Sequence, residues 1–253
     1  MSEGEFKNPL CSIIMPTFRQ PKYLQTSVYG VMSQTYPNVE LIIVSVEDDA
    51  ETEERICDIL DLFPQVVTVV SPEANIIRQI NLGLKEAKGE FTSLTASDDF
   101  YLPGKIAGEM RLANEKNAVL VYSSFFYADE DLCLTGVPKV PPFSYETLVR
   151  RNYITDNALV KRSMFDEFGL FDESLEILAV YDKWLHIAEK YPERIVLNPV
   201  PTFLYRQHSD QAHKKRLDKP DKYELYRKVI SESLKRKGIK IKAEDMRFEI
   251  TDA

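Results

Sequence analysis

The stretch LCSIIMPTFRQPKYLQTSVYGVMSQTYPNVELIIVSV, Leu10 to Val46, contains a complete structural unit. Leu10 to Met15 is a short apolar run ended by Pro16, and Val39 to Val46 is a second. Both are rich in β-branched residues, as strands buried on both faces are. Between them, Pro21 to Gln34 places Tyr23, Leu24, Ser27 with Val28, and Val31 with Met32 at helical spacing. The unit reads strand, helix, strand.

The alternation continues with a helix over Glu51 to Phe63, a strand over Val66 to Val70, a helix over Ile76 to Lys88 with Gly89 as its stop, and a strand over Phe91 to Thr95. This pattern predicts an α/β fold whose mostly parallel central sheet is flanked by helices. Ligands of such sheets bind beyond the carboxyl ends of the strands, so the loops after Met15, Val46, Val70 and Thr95 are expected to line one site. A helix over Pro103 to Lys116 and a strand over Ala118 to Ser123 follow, and the regular alternation then stops. Pro138, Pro141 and Pro142 make Val137 to Phe143 the internal boundary, a change of subdomain without a flexible linker. Beyond it come a helix over Tyr181 to Lys190, with Leu185, Ile187 and Ala188 turned inward beside Trp184, and a strand over Arg194 to Tyr205. A polar loop, Arg206 to Pro220, leads to a charged amphipathic segment, Asp221 to Lys237.

With 253 residues, 44% of them apolar, the chain can bury a substantial core. The net charge of −8, from 32 basic and 40 acidic residues, gives no field suited to nucleic acid, and DNA and RNA are set aside as partners. Cys11, Cys57 and Cys133 lie far apart without metal-ligand spacing, which fits a reducing, cytoplasmic location. No apolar run reaches the roughly 18–20 residues of a transmembrane span, and no export signal is visible. The basic run Lys235, Arg236, Lys237, Lys240 and Lys242 leaves two readings open, a solvated helix end or a peripheral contact with anionic lipid.

Three short features carry chemistry. Ser97-Asp98-Asp99 directly follows an apolar strand, and adjacent carboxylates at a strand end can hold a divalent cation while leaving positions for phosphate oxygens; the same residues also suit a plain turn. Arg78 and Asn81 fall three apart on one helix face and can reach a ligand together, or can belong to an ordinary solvated helix. Tyr205-Arg206-Gln207-His208 ends a strand with an imidazole that suits manganese and a planar cation that suits phosphate, although a lone histidine also serves structural ends.

Taken in order, these pieces resemble the family-two inverting glycosyltransferases of the GT-A fold. The carriers are Ser12-Ile13-Ile14-Met15-Pro16-Thr17-Phe18-Arg19, the segment Val31 to Val44 with Gln34-Thr35-Tyr36-Pro37-Asn38, Asn81-x-Gly83, Ala87-Lys88-Gly89-Glu90, and Ser97-Asp98-Asp99. Gly169-Leu170-Phe171-Asp172-Glu173-Ser174, Asp182-Lys183-Trp184-Leu185 and Tyr205-Arg206-x-His208 complete it, so the match spans roughly residues 10–215. The resemblance implies a donor-binding half over 1–136, a smaller acceptor-side subdomain over 137–215 and a helical extension over 216–253. It implies a UDP-, GDP- or dTDP-sugar held by Pro16, Thr17, Arg19, Glu47, Arg78, Asn81, Ser97, Asp98 and Arg206, and Mn2+ or Mg2+ at Asp98, Asp99 and His208. The acceptor it implies is a saccharide or a lipid-linked glycoconjugate, as in surface polysaccharide synthesis, and the reaction is one displacement in which a carboxylate deprotonates the acceptor hydroxyl.

The chain departs from the family pattern at three places. The first acid of the metal motif falls on Ala96, and the acidic pair after the second strand falls on Ser45-Val46, with Glu47, Asp48 and Asp49 displaced downstream. The Glu-Asp pair that carries the base falls on Ala179 and Val180. Asp182 lies about 200° around a helix from Val180, and Glu176 and Asp172 are the other candidates for the base. These departures also keep open an alternative, a degenerate member that binds nucleotide or sugar without transfer. A sugar nucleotidyltransferase is disfavoured because no glycine-rich phosphate loop follows the first strand.

Overall fold

A computed structural model describes residues 8–176, 178–209, 211 and 222–239. Strands β1 (Cys11–Pro16) and β2 (Val39–Val46) pair in parallel with Ile13 opposite Leu41. Successive side chains leave opposite faces: Ile14, Ile42 and Val44 enter one core, while Ile13, Met15, Leu41 and Ile43 enter the other. Both faces are covered, so these runs are apolar throughout instead of alternating. Helix α1 (Pro21–Met32) starts on Pro21, whose missing N–H costs nothing at that position. Helix α2 (Ala50–Leu62) is capped by the Asp49 carboxylate. After β3 (Val67–Ser71), helix α3 (Ile76–Glu86) is capped by Asn75, whose side chain accepts from the Ile77 and Arg78 N–H groups at 3.1 Å.

Two glycines show how closely this half is packed. A Cβ on Gly83 would stand 2.4 Å from Cγ2 of Ile14, so α3 lies directly on β1. Helix α3 ends at Glu86 with Ala87 as its C-cap, two residues short of the helix expected up to Gly89, and a Cβ on Gly89 would meet the Leu10 and Phe91 carbonyls and the Ser12 nitrogen at 2.7 Å. Close backbone approach requires glycine there.

The chain continues through β4 (Phe91–Leu94), β5 (Phe100–Tyr101), α4 (Lys105–Lys116), β6 (Leu120–Ala128), β7 (Leu134–Gly136) and α5 (Tyr145–Arg150). Then follow β8 (Leu159–Lys161), α6 (Ser163–Phe168), α7 (Leu178–Lys190), β9 (Ile195–Arg206) and α8 (Lys222–Arg236). The sheet runs β3-β2-β1-β4-β8-β6-β9-β5, with β7 on β6. The first four strands are parallel, as alternation predicted. Beyond them the sheet is mixed: β8 is antiparallel to both neighbours, β9 is parallel to β6, and β5 is antiparallel to β9. Strand β8 follows the proline segment yet lies between two strands that precede it, so one sheet runs through both parts of the chain. Helices α1, α2 and α4 cover one face, and α3, α5, α6, α7 and α8 the other.

The strand expected to stop at Ser123 runs on to Ala128, because Phe125 is buried and stacks on Phe203 of β9 at 5.0 Å. No described helix is long and apolar enough to cross a membrane. Lys240 and Lys242 of the basic run, and 210 and 212–220 of the polar loop, lie outside the described residues.

Candidate active site

The loop leaving β4 meets the end of β9. Nε2 of His208 stands 2.8 Å from Oδ2 of Asp98. Asp99 is buried and accepts the Arg206 backbone N–H at 3.1 Å, while Arg206 Nε donates to the Asp98 carbonyl at 2.6 Å and its Nη1 to the Glu130 carbonyl. Burial, with Asp98 and Asp156 adding repulsion, pushes the Asp99 carboxyl well above the usual carboxylate range against the pull of Arg206. The Arg206 guanidinium lies 4.5 Å from the centre of the Tyr23 ring, and that ring is 4.8 Å from the His208 imidazole. Tyr23 also donates to Glu130, which pairs with Lys22. Ser97 is buried, and its carbonyl accepts from Ser27 of α1 at 2.9 Å, which fixes the loop's root.

The donor set suits a divalent cation in one respect. Two ligands cis on an octahedral ion about 2.1 Å away lie about 3 Å apart, close to the Asp98–His208 separation of 2.8 Å. Among the described residues no three carboxylate, imidazole or thiol groups converge on one point, so such an ion would take its other ligands from phosphate and water. Nη2 of Arg206 and Oγ1 of Thr17 at the end of β1 are buried and have no hydrogen-bond partner among the described residues, so each keeps a capacity that an anionic or polar ligand could satisfy.

The remaining sequence candidates divide. Pro16 ends β1, and Thr17 is held by the Val44 carbonyl. Arg19 adopts a left-handed φ of 52° and gives its backbone N–H to Asp49 at 2.6 Å, leaving its side chain exposed; Glu47 is exposed after β2. Arg78 and Asn81 do share a face, but both reach Glu173, at 3.0 and 3.3 Å, and Asn81 also clamps both backbone groups of Phe171. Asp172 caps a short turn through the Ser174 N–H. Glu176 sits at φ 49° just before α7. Asp182 faces away from the site toward His186 and Arg236, at 3.3 and 3.7 Å. Val180, where the sequence resemblance would put the base, is packed in the core.

Tyr23, Glu130 and Asp156 escaped sequence reading. Tyr23 looked like an ordinary apolar helix position, and nothing local marks Glu130 or Asp156. Asp156 is an exposed residue, and the protein around its carboxyl displaces enough of its hydration to push that group up to about 6.

Solved structures place this architecture. The S. aureus TarS 1–349 complex with UDP superposes with a TM-score of 0.70 at 14% identity, over 89% of this chain and 65% of that one. Mannosyltransferase PcManGT from Pyrobaculum calidifontis, in complex with GDP-Man and Mn2+, gives 0.66 at 16% identity over 90% of this chain and 68% of that one. The fold is that of the GT-A glycosyltransferases. Residues 12–169 match the glycosyl transferase family 2 model, and the chain belongs to that family of transferase enzymes. Among curated relatives, the UDP-Glc:alpha-D-GlcNAc-diphosphoundecaprenol beta-1,3-glucosyltransferase WfaP of Escherichia coli is 26% identical over 245 residues, 92% of this chain and 88% of that protein.

Proposed function

We propose that this enzyme transfers a sugar, with inversion, from a nucleoside diphosphate sugar to a saccharide or lipid-linked acceptor in polysaccharide or glycoconjugate synthesis. The observation that carries the reading is the Asp98–His208 pair at the carboxyl edge of β4, spaced for two sites on one divalent cation and backed by the buried Arg206. Mn2+ or Mg2+ bound there would offset the charge developing on the departing diphosphate. Asp98 and His208 would hold the ion, Asp99 fixes the end of β9 by its bond to Arg206, and Arg206 Nη2 and Thr17 Oγ1 are free to donate to the nucleotide. Residues 1–136 form the donor half and 137–215 the acceptor half in this reading, with 216–253 as an extension. The lipid-diphosphate acceptor in the name of WfaP supports an acceptor of that class, and the nucleotides seen with TarS and PcManGT support UDP or GDP. Three unpaired cysteines support a cytoplasmic site of action.

The test is nucleoside diphosphate release from UDP-glucose, UDP-N-acetylglucosamine, GDP-mannose and dTDP-glucose, with Mn2+, against a set of saccharide and undecaprenyl-diphosphate-linked acceptors. Acceptor-dependent release that chelator abolishes supports the reading. Tight nucleotide binding without release from any pair would favour the degenerate, binding-only alternative that Ala96 and Val180 raise.

A further inference from the structure

Transfer to a hydroxyl needs a group to receive its proton, and nearly every carboxylate around this edge is already engaged. Asp98 faces His208, Asp99 accepts from Arg206, Glu130 pairs with Lys22, and Glu173 pairs with Arg78. Asp182 faces α8, and Glu47 lies after β2, two strands from β4. Asp156 differs: its side chain makes no hydrogen bond or ion pair with a described residue and is open to solvent.

Its position follows from register. Thr92 of β4 lies opposite Val160 of the antiparallel β8, so the residues entering β8 stand beside the carboxyl end of β4. That places the turn at 155–158 next to the loop bearing Asp98 and Asp99. Among the described residues, Asp99 on that loop and Tyr205 on β9 are the titratable groups that feel the Asp156 charge.

The turn is also rigidly mounted. The Asn157 carbonyl accepts from Ser93 Oγ at 2.9 Å and from Lys105 Nζ at 2.8 Å, and Lys105 is held in turn by Glu109 at 2.7 Å with both side chains fully buried. Thr155 Oγ1 donates to Asn157 Oδ1 at 2.7 Å, and the Ala158 N–H to the Thr155 carbonyl at 3.2 Å. A buried ion pair fixing a backbone carbonyl, beneath a carboxylate that no described residue engages, is how a scaffold holds a reacting group in place.

We propose that Asp156 is the general base of the transfer, in the role for which no carboxylate is present at Val180. This rests on the transferase reading above. The acceptor oxygen bonds to the anomeric carbon as its proton passes to the Asp156 carboxylate, and the electron pair of the broken carbon–oxygen bond leaves with the nucleoside diphosphate. An elevated carboxyl, at about 6, is better matched to that exchange near neutrality than an ordinary aspartate.

The experiment compares wild type, Asp156→Asn and Asp156→Glu by two readouts: calorimetric binding of UDP and GDP with Mn2+, and nucleotide release from UDP-glucose, UDP-N-acetylglucosamine and GDP-mannose with water as the acceptor. The expected result is unchanged nucleotide binding in all three proteins, with release at least about 100-fold slower in Asp156→Asn and partly retained in Asp156→Glu. The acidic limb of the wild-type rate profile should centre near pH 6 and vanish in Asp156→Asn. Release within tenfold of wild type in Asp156→Asn, loss of nucleotide binding in that variant, or a wild type that binds nucleotide but turns over none of the three donors would each overturn the assignment. A wild type that binds no nucleotide would overturn the transferase reading, and this inference with it.

Discussion

Replacing Lys105 with Met strands a buried charge beneath the turn at 155–158. In the native protein both side chains are fully buried, Nζ lies 2.7 Å from each Glu109 oxygen, and Ser123 Oγ donates to Glu109 at 2.6 Å. Without the ammonium, Glu109 keeps only the Ser123 bond, and removing one member of such a pair costs about 3–5 kcal/mol. With an unfolding entropy of roughly 2.1 cal/mol/K per residue, 253 residues give roughly 0.5 kcal/mol/K, so Tm should fall by roughly 6–9 °C. Burial already holds the Glu109 carboxyl above its usual value, and Lys105 opposes that rise. A carboxyl whose folded pKa is raised contributes stability below its unfolded pKa and loses it as pH climbs through the folded value. The Lys105→Met penalty should therefore be larger at about pH 8 than in acid, where protonation of Glu109 removes the stranded charge. Scanning calorimetry at the two pH values, with Lys105→Met/Glu109→Met alongside, checks this. A single variant as stable as the double, or a penalty that does not vary with pH, would refute the reasoning.

Gly83→Ala should lose about 1–3 kcal/mol in denaturant melts, because its methyl group meets Ile14 at 2.4 Å where α3 lies on β1. Loss under about 0.3 kcal/mol would mean that the helix shifts freely. Thr17→Val removes a buried hydroxyl with no partner among the described residues, so melting should show equal or slightly higher stability, while UDP affinity by calorimetry should weaken roughly five- to tenfold if that hydroxyl donates to the nucleotide, as one hydrogen bond is worth about 0.5–1.5 kcal/mol. Asp156→Asn should melt no lower than wild type at about pH 8. A carboxyl raised to about 6 is least favourable to the fold once ionised, so removing its charge relieves a cost, whereas a lower Tm would point to a structural role.

The parallel half of the sheet was legible because continuous β-branched runs and helical spacing encode it locally; β1 and β2 fall within a residue of the expected ends. The mixed half was not, because β5 is only two residues long and β8 three, too short to carry a period, and their places depend on long-range pairing with β9 and β4. Asp98, Asp99, Arg206 and His208 were legible as motifs and do converge. Arg78 and Asn81 were correctly placed on one face, but Glu173, which occupies that face, is 92 residues or more away in the chain. Asp156 had no local signature, since its place beside the acidic loop comes from the register of β8.

In the proposed reaction Asp98 and His208 together bind a metal–nucleotide complex. Calorimetric titration of UDP, GDP and dTDP into wild type, Asp98→Ala and His208→Ala, each with and without Mn2+, tests it most directly. Mn2+-dependent binding of one nucleotide is expected in wild type, weakened at least about 100-fold, or roughly 2.7 kcal/mol, by either substitution. Binding that ignores Mn2+, or that survives both substitutions unchanged in folded protein, would contradict it.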